Sequence, residues 1–321
     1  MKSGRWWQQK RNPALDEALS HINQARVRDN PVDQLRDLCD ALNKAWDAYR
    51  RYRRNHGQLT ETEKERSERG ESPPDNQAVT QLLLTGLGDE AAVSFCRSSA
   101  LEALAGFTPQ VMNHGTLRRR NYDPAEISEG LRKKATEEHQ KLKNAHGRYV
   151  SDPTKRELQG ALLKKAAALL YVIRSNTQHG EKTLRGPDLE KAERDQKVAG
   201  TACAAIEQIF SSLLAMPETR LAVYGTLSPG QANAEILSKL EGHWQDAVVP
   251  GEVVERGGLP IFRWDTSGGE VNVKVLTSPA LPDHLKALDT FEGAEYKRIL
   301  VPAMTSDGLM VVNIYEGTSL T

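Results

Sequence analysis

AMPETRLAVYGTL, residues 215–227, is where the texture of this sequence changes. Downstream of it, RLAVYGTL, AVVPGEVVE, GEVNVKVLT, YKRILVPAM and LMVVNIYEG are short, valine-rich and punctuated by Gly, Pro and Asp, which reads as strands. Two helical stretches interrupt them, near ANAEILSKLEG and LPDHLKALDTFEG. In the second, Pro282 suits a first helical turn and Gly293 a helix C-terminus. Upstream the period is that of helices. Leu35, Leu38, Leu42, Trp46 and Tyr49 recur at steps of three and four, as do Leu158, Leu162, Leu169 and Ile173, and again Val198, Ala202, Ile206, Ile209 and Leu213. The expected fold is therefore multidomain, α and then α+β: an all-α helical bundle over residues 1–215 and a compact α+β domain over 220–321. Inside the first, QLTETEKERSERGESPPDN (58–76) is charged and ends near Pro-Pro. It is expected to be a mobile insert, because it has too little apolar surface to bury.

The length of 321 residues fits two domains, and 38% hydrophobic with 27% charged residues fits a water-exposed globular chain. No apolar run approaches the ~20 residues that span a bilayer, so no membrane partner is expected. The start, MKSGRWWQQKRNP, has a basic cluster without an apolar stretch behind it, unlike a secretory signal. Cys39, Cys96 and Cys203 suit neither a disulfide framework nor a zinc site, and a reducing, cytoplasmic setting is expected. The net charge of zero hides an asymmetry. From Arg220 onward there are 8 Lys+Arg against 13 Asp+Glu, so this part is acidic and the remainder equally basic, which suggests different partners for the two.

Two segments of the second domain stand out. VYGTLSPG (223–230) turns through Gly225 after a strand, and such a turn can present successive N–H groups to an anion. LDTFEGAEYKR (288–298) ends a helix whose Leu288 and Phe291 read as core, yet Glu292 follows them immediately. That glutamate is either a solvated helix-end charge or a group with a chemical role.

Taken together, the two segments resemble the γ-glutamylcyclotransferase-like family. Tyr224-Gly225-Thr226-Leu227 matches its Y-G-[ST]-L loop, Leu288-Asp289-x-x-Glu292-Gly293 the segment holding its catalytic glutamate, and Tyr296 and Arg298 its Y-x-R. The resemblance covers about Arg220 to Gly317 and implies a small mixed β-barrel with flanking helices. It also implies release of 5-oxoproline from a γ-glutamyl small molecule, in which the α-amine attacks the γ-amide of the same residue. Glu292 would be the catalytic base and acid, its pKa raised by burial. The loop 224–227 and Tyr296 would bind substrate, with no metal and no cofactor. Asp289 reads as an orienting residue and Glu295 as a surface charge. The segment GGLPIFRWD (257–265) is expected to line the mouth, and it leaves the leaving amine open.

The helical half carries YVIRSNTQHGEK (171–182), with Gly180 as a helix terminator directly after His179. Arg174 and His179, with Asn176 between them, resemble the R-x(4–6)-H motif of the HEPN superfamily. That resemblance implies a HEPN-like bundle, a homodimer through the helical domain, and in RNase members a metal-independent cleavage of RNA. The alternative is that Arg174 and His179 only cap a helix C-terminus, where cations are favourable. TLRRRNY (116–122) and AYRRYRRNHG (48–57) interleave Arg with Tyr and suit contact with RNA or a solvated face. Two functions of different class follow: a cyclotransferase with a dimerising or RNA-interacting domain, or an RNase effector of toxin or phage-defence type with the cyclotransferase-like part as sensor or accessory.

Overall fold

The computed structural model describes Trp6 and residues 12–69, 75–106, 129–178 and 189–318. It divides into two compact units, one of Met1–Trp6 with Ser20–Leu213, the other of Trp7–Leu19 with Leu214–Thr321. An N-terminal helical region is followed by a small barrel domain.

In order, the helices are α1 (Pro13–Arg26), α2 (Pro31–Asn55), α3 (Glu61–Glu68), α4 (Asp75–Gln81), α5 (Asp89–Cys96), α6 (Ser99–Gly106), α7 (Glu129–Ser151), α8 (Arg156–Gln178) and α9 (Leu189–Leu213). α2 shows how sequence sets such an element. Pro31 occupies the first turn, and the Asn30 side chain accepts the amide of Asp33 at 2.8 Å as an N-cap. From there Leu35, Leu38, Leu42, Trp46 and Tyr49 form one buried stripe, and α2 packs against α8 and α9. Burying each such side chain contributes about 1.5–3 kcal/mol.

The segment expected to be a mobile insert contains α3. Its stabilisation is polar, which a search for apolar residues misses. Thr60 and Glu63 form a capping box: Thr60 Oγ1 accepts the Glu63 amide at 3.3 Å, and Glu63 Oε2 accepts the Thr60 amide at 2.8 Å. Arg53, buried, then grips both Glu63 oxygens at 2.7 and 2.9 Å and donates to the carbonyl of Gln58 at 2.8 Å. A planar guanidinium satisfied on three bonds is a hold that a short helix without apolar residues can use.

The second unit contains β1 (Arg220–Val223), a short α10 (Glu235–Ser238), β2 (His243–Arg256), β3 (Leu259–Trp264), β4 (Glu270–Thr277), α11 (Leu281–Glu292), β5 (Tyr296–Thr305) and β6 (Gly308–Gly317). The order β2-β4-β1-β6-β5 closes on itself where β5 returns to β2, at Ala247↔Thr305 and Val248↔Met304. β1 lies parallel to β6, and every other pairing is antiparallel. Closure leaves the five ring strands without edges. Alternate residues, among them Val249, Val273, Val275, Val301, Val312 and Ile314, fill the barrel interior.

β3 stands outside the ring as a ribbon on β2. β2 pairs with β4 from His243 to Pro250 and with β3 from Gly251 to Arg256. Gly251, at the switch, has φ +144°, and a Cβ there would strike the carbonyl of Arg263. Gly257 and Gly258, at φ +59° and +79°, form the two-residue turn that returns the chain at Leu259. Two successive positive φ values suit the twist of a hairpin, and glycine adopts them without steric cost. α11 lays Leu281, Leu285 and Leu288 on a second apolar cluster with Leu221, Val223, Leu276 and Tyr315. That packing fixes where the helix ends.

Candidate active site

β1 ends by delivering Tyr224, Gly225, Thr226 and Leu227, and α11 ends at Glu292 opposite them. The two segments, with Asn233, Leu259, Pro260, Tyr296 and Tyr315 among others, line a cavity of about 230 Å³. Of the residues singled out from sequence in this domain, Tyr224, Gly225, Thr226, Leu227, Glu292 and Tyr296 thus line one cavity.

The loop is held by its side chains and carbonyls. Tyr224 Oη donates to the carbonyl of Tyr315 at 2.9 Å and accepts the amide of Phe262 at 3.2 Å, so it ties β6 to β3. With its hydroxyl engaged twice and its ring 5.7 Å from that of Phe262, Tyr224 is a strut beside the cavity. Burial pushes its pKa up. The Thr226 hydroxyl accepts Asn233 Nδ2 at 3.0 Å, the Thr226 carbonyl accepts the Asn233 amide at 2.9 Å, and the Gly225 carbonyl accepts the Ser228 amide at 3.0 Å. Leu227 is buried and anchors the loop to the second cluster. Among the described residues, the amides of Gly225, Thr226 and Leu227 donate to no backbone carbonyl. A turn whose carbonyls are engaged and whose amides are not is suited to an anionic group.

Glu292 is the last residue of α11, and Gly293, at φ +70°, ends the helix there with its amide on the Asp289 carbonyl at 3.2 Å. The Glu292 side chain is half-buried and makes no hydrogen bond or ion pair among the described residues. Burial alone pushes its pKa up. One helical turn earlier, Asp289 has a different environment. It accepts Arg298 Nε at 2.8 Å and Nη2 at 3.0 Å, and the hydroxyl of Tyr315 at 2.8 Å. Arg298 in turn donates to Asn313 Oδ1 at 3.0 Å, and buried Asn313 donates to the carbonyls of Pro217 and Arg220 at 2.7 and 3.2 Å. This chain of bonds links α11 to β5, β6 and the entry of β1. Two carboxylates on one helix end therefore have different surroundings: Asp289 is tied to Arg298 and Tyr315, and Glu292 lines the cavity.

Tyr296 Oη donates to the Pro260 carbonyl at 3.2 Å and so closes the far side against the β3 ribbon. Its pKa is raised by burial first and then by Glu292 and Glu295. Three features differ from the sequence reading or escape it. Phe291, which reads as core, is 47% exposed and lines the cavity, because the stripe Leu281–Leu285–Leu288 places residue 291 past the helix's buried edge. Glu295 is exposed, as its reading as a surface charge expects, and what escapes that reading is that it also lines the cavity. Tyr315 and Asn233 carry no motif and are brought in by register and loop geometry.

Residues 221–318 match the family described as Gamma-glutamyl cyclotransferase, AIG2-like. This is the barrel. Among solved structures, YkqA from Bacillus subtilis is similar at 25% identity, with a TM-score of 0.27, over 31% of this chain and 36% of YkqA. An aig2-like protein from Mus musculus is 18% identical, with a TM-score of 0.28, over 32% of this chain and 79% of its own. A protein from Arabidopsis thaliana is 32% identical, with a TM-score of 0.25, over 30% of this chain and 61% of its own. The chain thus spans about a third of YkqA, at 36%. No curated protein matches the sequence.

The candidate residues of the helical half have a separate setting. The Arg174 guanidinium sits 5.2 Å from the centroid of the Trp46 ring, on the face of α8 that meets α2. Such a cation–π contact is worth about 0.5–2 kcal/mol. His179 lies outside the described residues, as does the side chain of Asn176. TLRRRNY (116–122) also lies outside them. Among the described residues no helix is long and apolar enough to cross a membrane, and no group of His, Cys, Asp and Glu could hold a metal ion.

Proposed function

We propose that the barrel domain is a γ-glutamylcyclotransferase that releases 5-oxoproline from a γ-glutamyl amine or amino acid, with Glu292 carrying the proton. One observation carries the reading. Among the described residues, a half-buried carboxylate without an ion-pair partner shares a cavity with a loop whose amides are not used by the backbone.

In this reading the amides of Gly225, Thr226 and Leu227 hold the substrate's α-carboxylate. Anchoring that end keeps the γ-glutamyl chain folded, so its α-amine lies against its own γ-carbonyl carbon. Holding reacting groups together lowers the entropic part of the barrier. The amine nitrogen attacks the carbonyl carbon and a C–N bond forms, while Glu292 takes the proton that the nitrogen loses. The tetrahedral centre then collapses, the bond to the leaving amine breaks, and Glu292 returns the same proton to that amine. The products are 5-oxoproline and a free amine, and no water is consumed. Burial suits Glu292 to this exchange, because a carboxyl raised toward neutrality is both a better base and a competent acid. Asp289 and Arg298 act as positioning residues by fixing the end of α11, and Tyr224 does the same for the loop.

The test is 5-oxoproline release from a panel of γ-glutamyl compounds across pH. The acid limb of kcat/KM is expected to rise through the Glu292 ionisation, at a pH above the usual carboxylate range, since its pKa is raised by burial. A limb at the pH of an ordinary solvated glutamate would remove Glu292 as the base.

For the helical unit, the contact of Arg174 with Trp46 favours a packing role for this arginine. A homodimer, RNA binding or RNA cleavage by Arg174 and His179, and a HEPN-like assignment of the bundle, remain proposals of the sequence. No observation in the described residues favours the effector reading over the cyclotransferase one.

A further inference from the structure

We infer that the segment Leu214–Arg220, which joins α9 to β1, positions Glu292: it holds α11 at both ends, so the rate of cyclisation depends on how this segment is held. The inference adds a positioning element to the cyclotransferase reading and rests on it.

The segment is strained and gripped. Ala215 and Met216 have φ of +56° and +58°, two successive left-handed residues that carry side chains. Such geometry persists where its surroundings over-determine it. Here the Thr219 amide and hydroxyl donate to the Met216 carbonyl at 3.1 and 2.8 Å. Arg220 Nη1 donates to the carbonyls of Leu214 and Val311 at 3.4 and 3.3 Å. The same segment reaches α11 twice. At the start of the helix, buried Ser278 donates its amide to the Thr219 carbonyl at 2.9 Å. The Ser278 carbonyl and hydroxyl in turn accept the amides of Leu281 and Ala280 at 3.2 and 3.3 Å. At the end of the helix, Asn313 donates to the Pro217 and Arg220 carbonyls and accepts from Arg298, which grips Asp289 one turn before Glu292. α11 also packs against Pro217–Thr219. Among the described residues lining the cavity, none comes from Leu214–Arg220, so the segment acts on Glu292 through the helix. The chain enters it directly from α9, which ends at Leu213, and a shift of that helix end is passed to it covalently.

The test uses the full chain and the exposed position 216. Met216→Pro fixes φ at about −65° and disfavours helical geometry at Ala215, so the left-handed pair is lost. Met216→Gly takes a positive φ without steric cost. With a γ-glutamyl amine as substrate, the Pro variant is expected to lose roughly tenfold to hundredfold in kcat, the scale of a small misplacement of a reacting group. KM should change little, because the loop at 224–227 is untouched. The acid limb should move to lower pH, since burial raises Glu292 and a displaced helix end admits water. Hydrogen exchange should rise at both ends of α11 and stay unchanged in β2 and β3. The Gly variant should match the parent throughout. Arg220→Met, which removes the donor to Leu214 and Val311, should give the same shifts and takes the place of a Pro variant that does not fold. Parent values in the folded Pro variant overturn the inference. So does a lower kcat with the acid limb and α11 exchange unmoved, which is loss of folded protein, and so does a raised KM at constant kcat, which assigns the effect to the loop. If the parent releases no 5-oxoproline, the cyclotransferase reading fails by itself, and exchange in α11 still decides whether the segment holds the helix.

Discussion

Replacing Glu292 by Gln should lower 5-oxoproline release by about 10²–10⁴-fold, the range that a positioned acid–base group supplies. Gln keeps the shape and most of the polarity of Glu, so the loss would fall on kcat with little change in KM if substrate is held mainly by the loop at 224–227. The acid limb of the pH profile should disappear with it. Stability supplies the control, and its sign runs opposite to that of activity. Burial raises the Glu292 pKa in the folded state, so the neutral carboxyl is the form the fold prefers. As pH rises past the unfolded-state value, ionisation begins to cost stability, and the full cost is present above the folded-state pKa. The Gln variant avoids that cost. It should unfold no earlier than the parent at neutral pH, and the two should converge in acid. A variant that lost activity by unfolding would behave in the reverse way.

Asn313→Ala should destabilise the barrel strongly. The side chain is fully buried and donates to the carbonyls of Pro217 and Arg220 while accepting from Arg298. Truncation removes all three bonds, while the Pro217 carbonyl keeps the Arg220 amide, and a buried polar group left without a partner costs about 1–3 kcal/mol. The barrel's unfolding midpoint is expected to fall by on the order of 10–20 °C, since about 1 kcal/mol shifts a domain of this size by 4–8 °C. Hydrogen exchange should show the loss of protection concentrated in β1 and β6. An unchanged midpoint would mean that the bonds joining β1, β5 and β6 are replaced by water at no cost.

The barrel was readable because its strands are short, valine-rich and separated by turn residues, and because two local motifs mark the ends of β1 and α11. What decides the chemistry was less visible. Glu292 and Asp289 are the same kind of group three residues apart, and sequence suggests but does not show that one is tied up by Arg298 and Tyr315 while the other faces a cavity. That difference depends on which strands lie beside the helix, a product of ring closure between residues far apart in the chain. Phe291 misled for a related reason. Its hydrophobicity says core, but the buried stripe of α11 ends at Leu288. In the helical unit, α3 escaped because capping and a buried ion pair, rather than apolar area, hold it.

The most direct test of Glu292-assisted cyclisation is the fate of oxygen during turnover. The full chain is incubated with a γ-glutamyl amine in water enriched in ¹⁸O, and the products are resolved by mass spectrometry. Intramolecular attack predicts unlabelled 5-oxoproline and free amine in equal amounts, with neither formed at a comparable rate by the Glu292→Gln variant. Glutamate carrying ¹⁸O would instead show that water is the nucleophile, and would contradict the account.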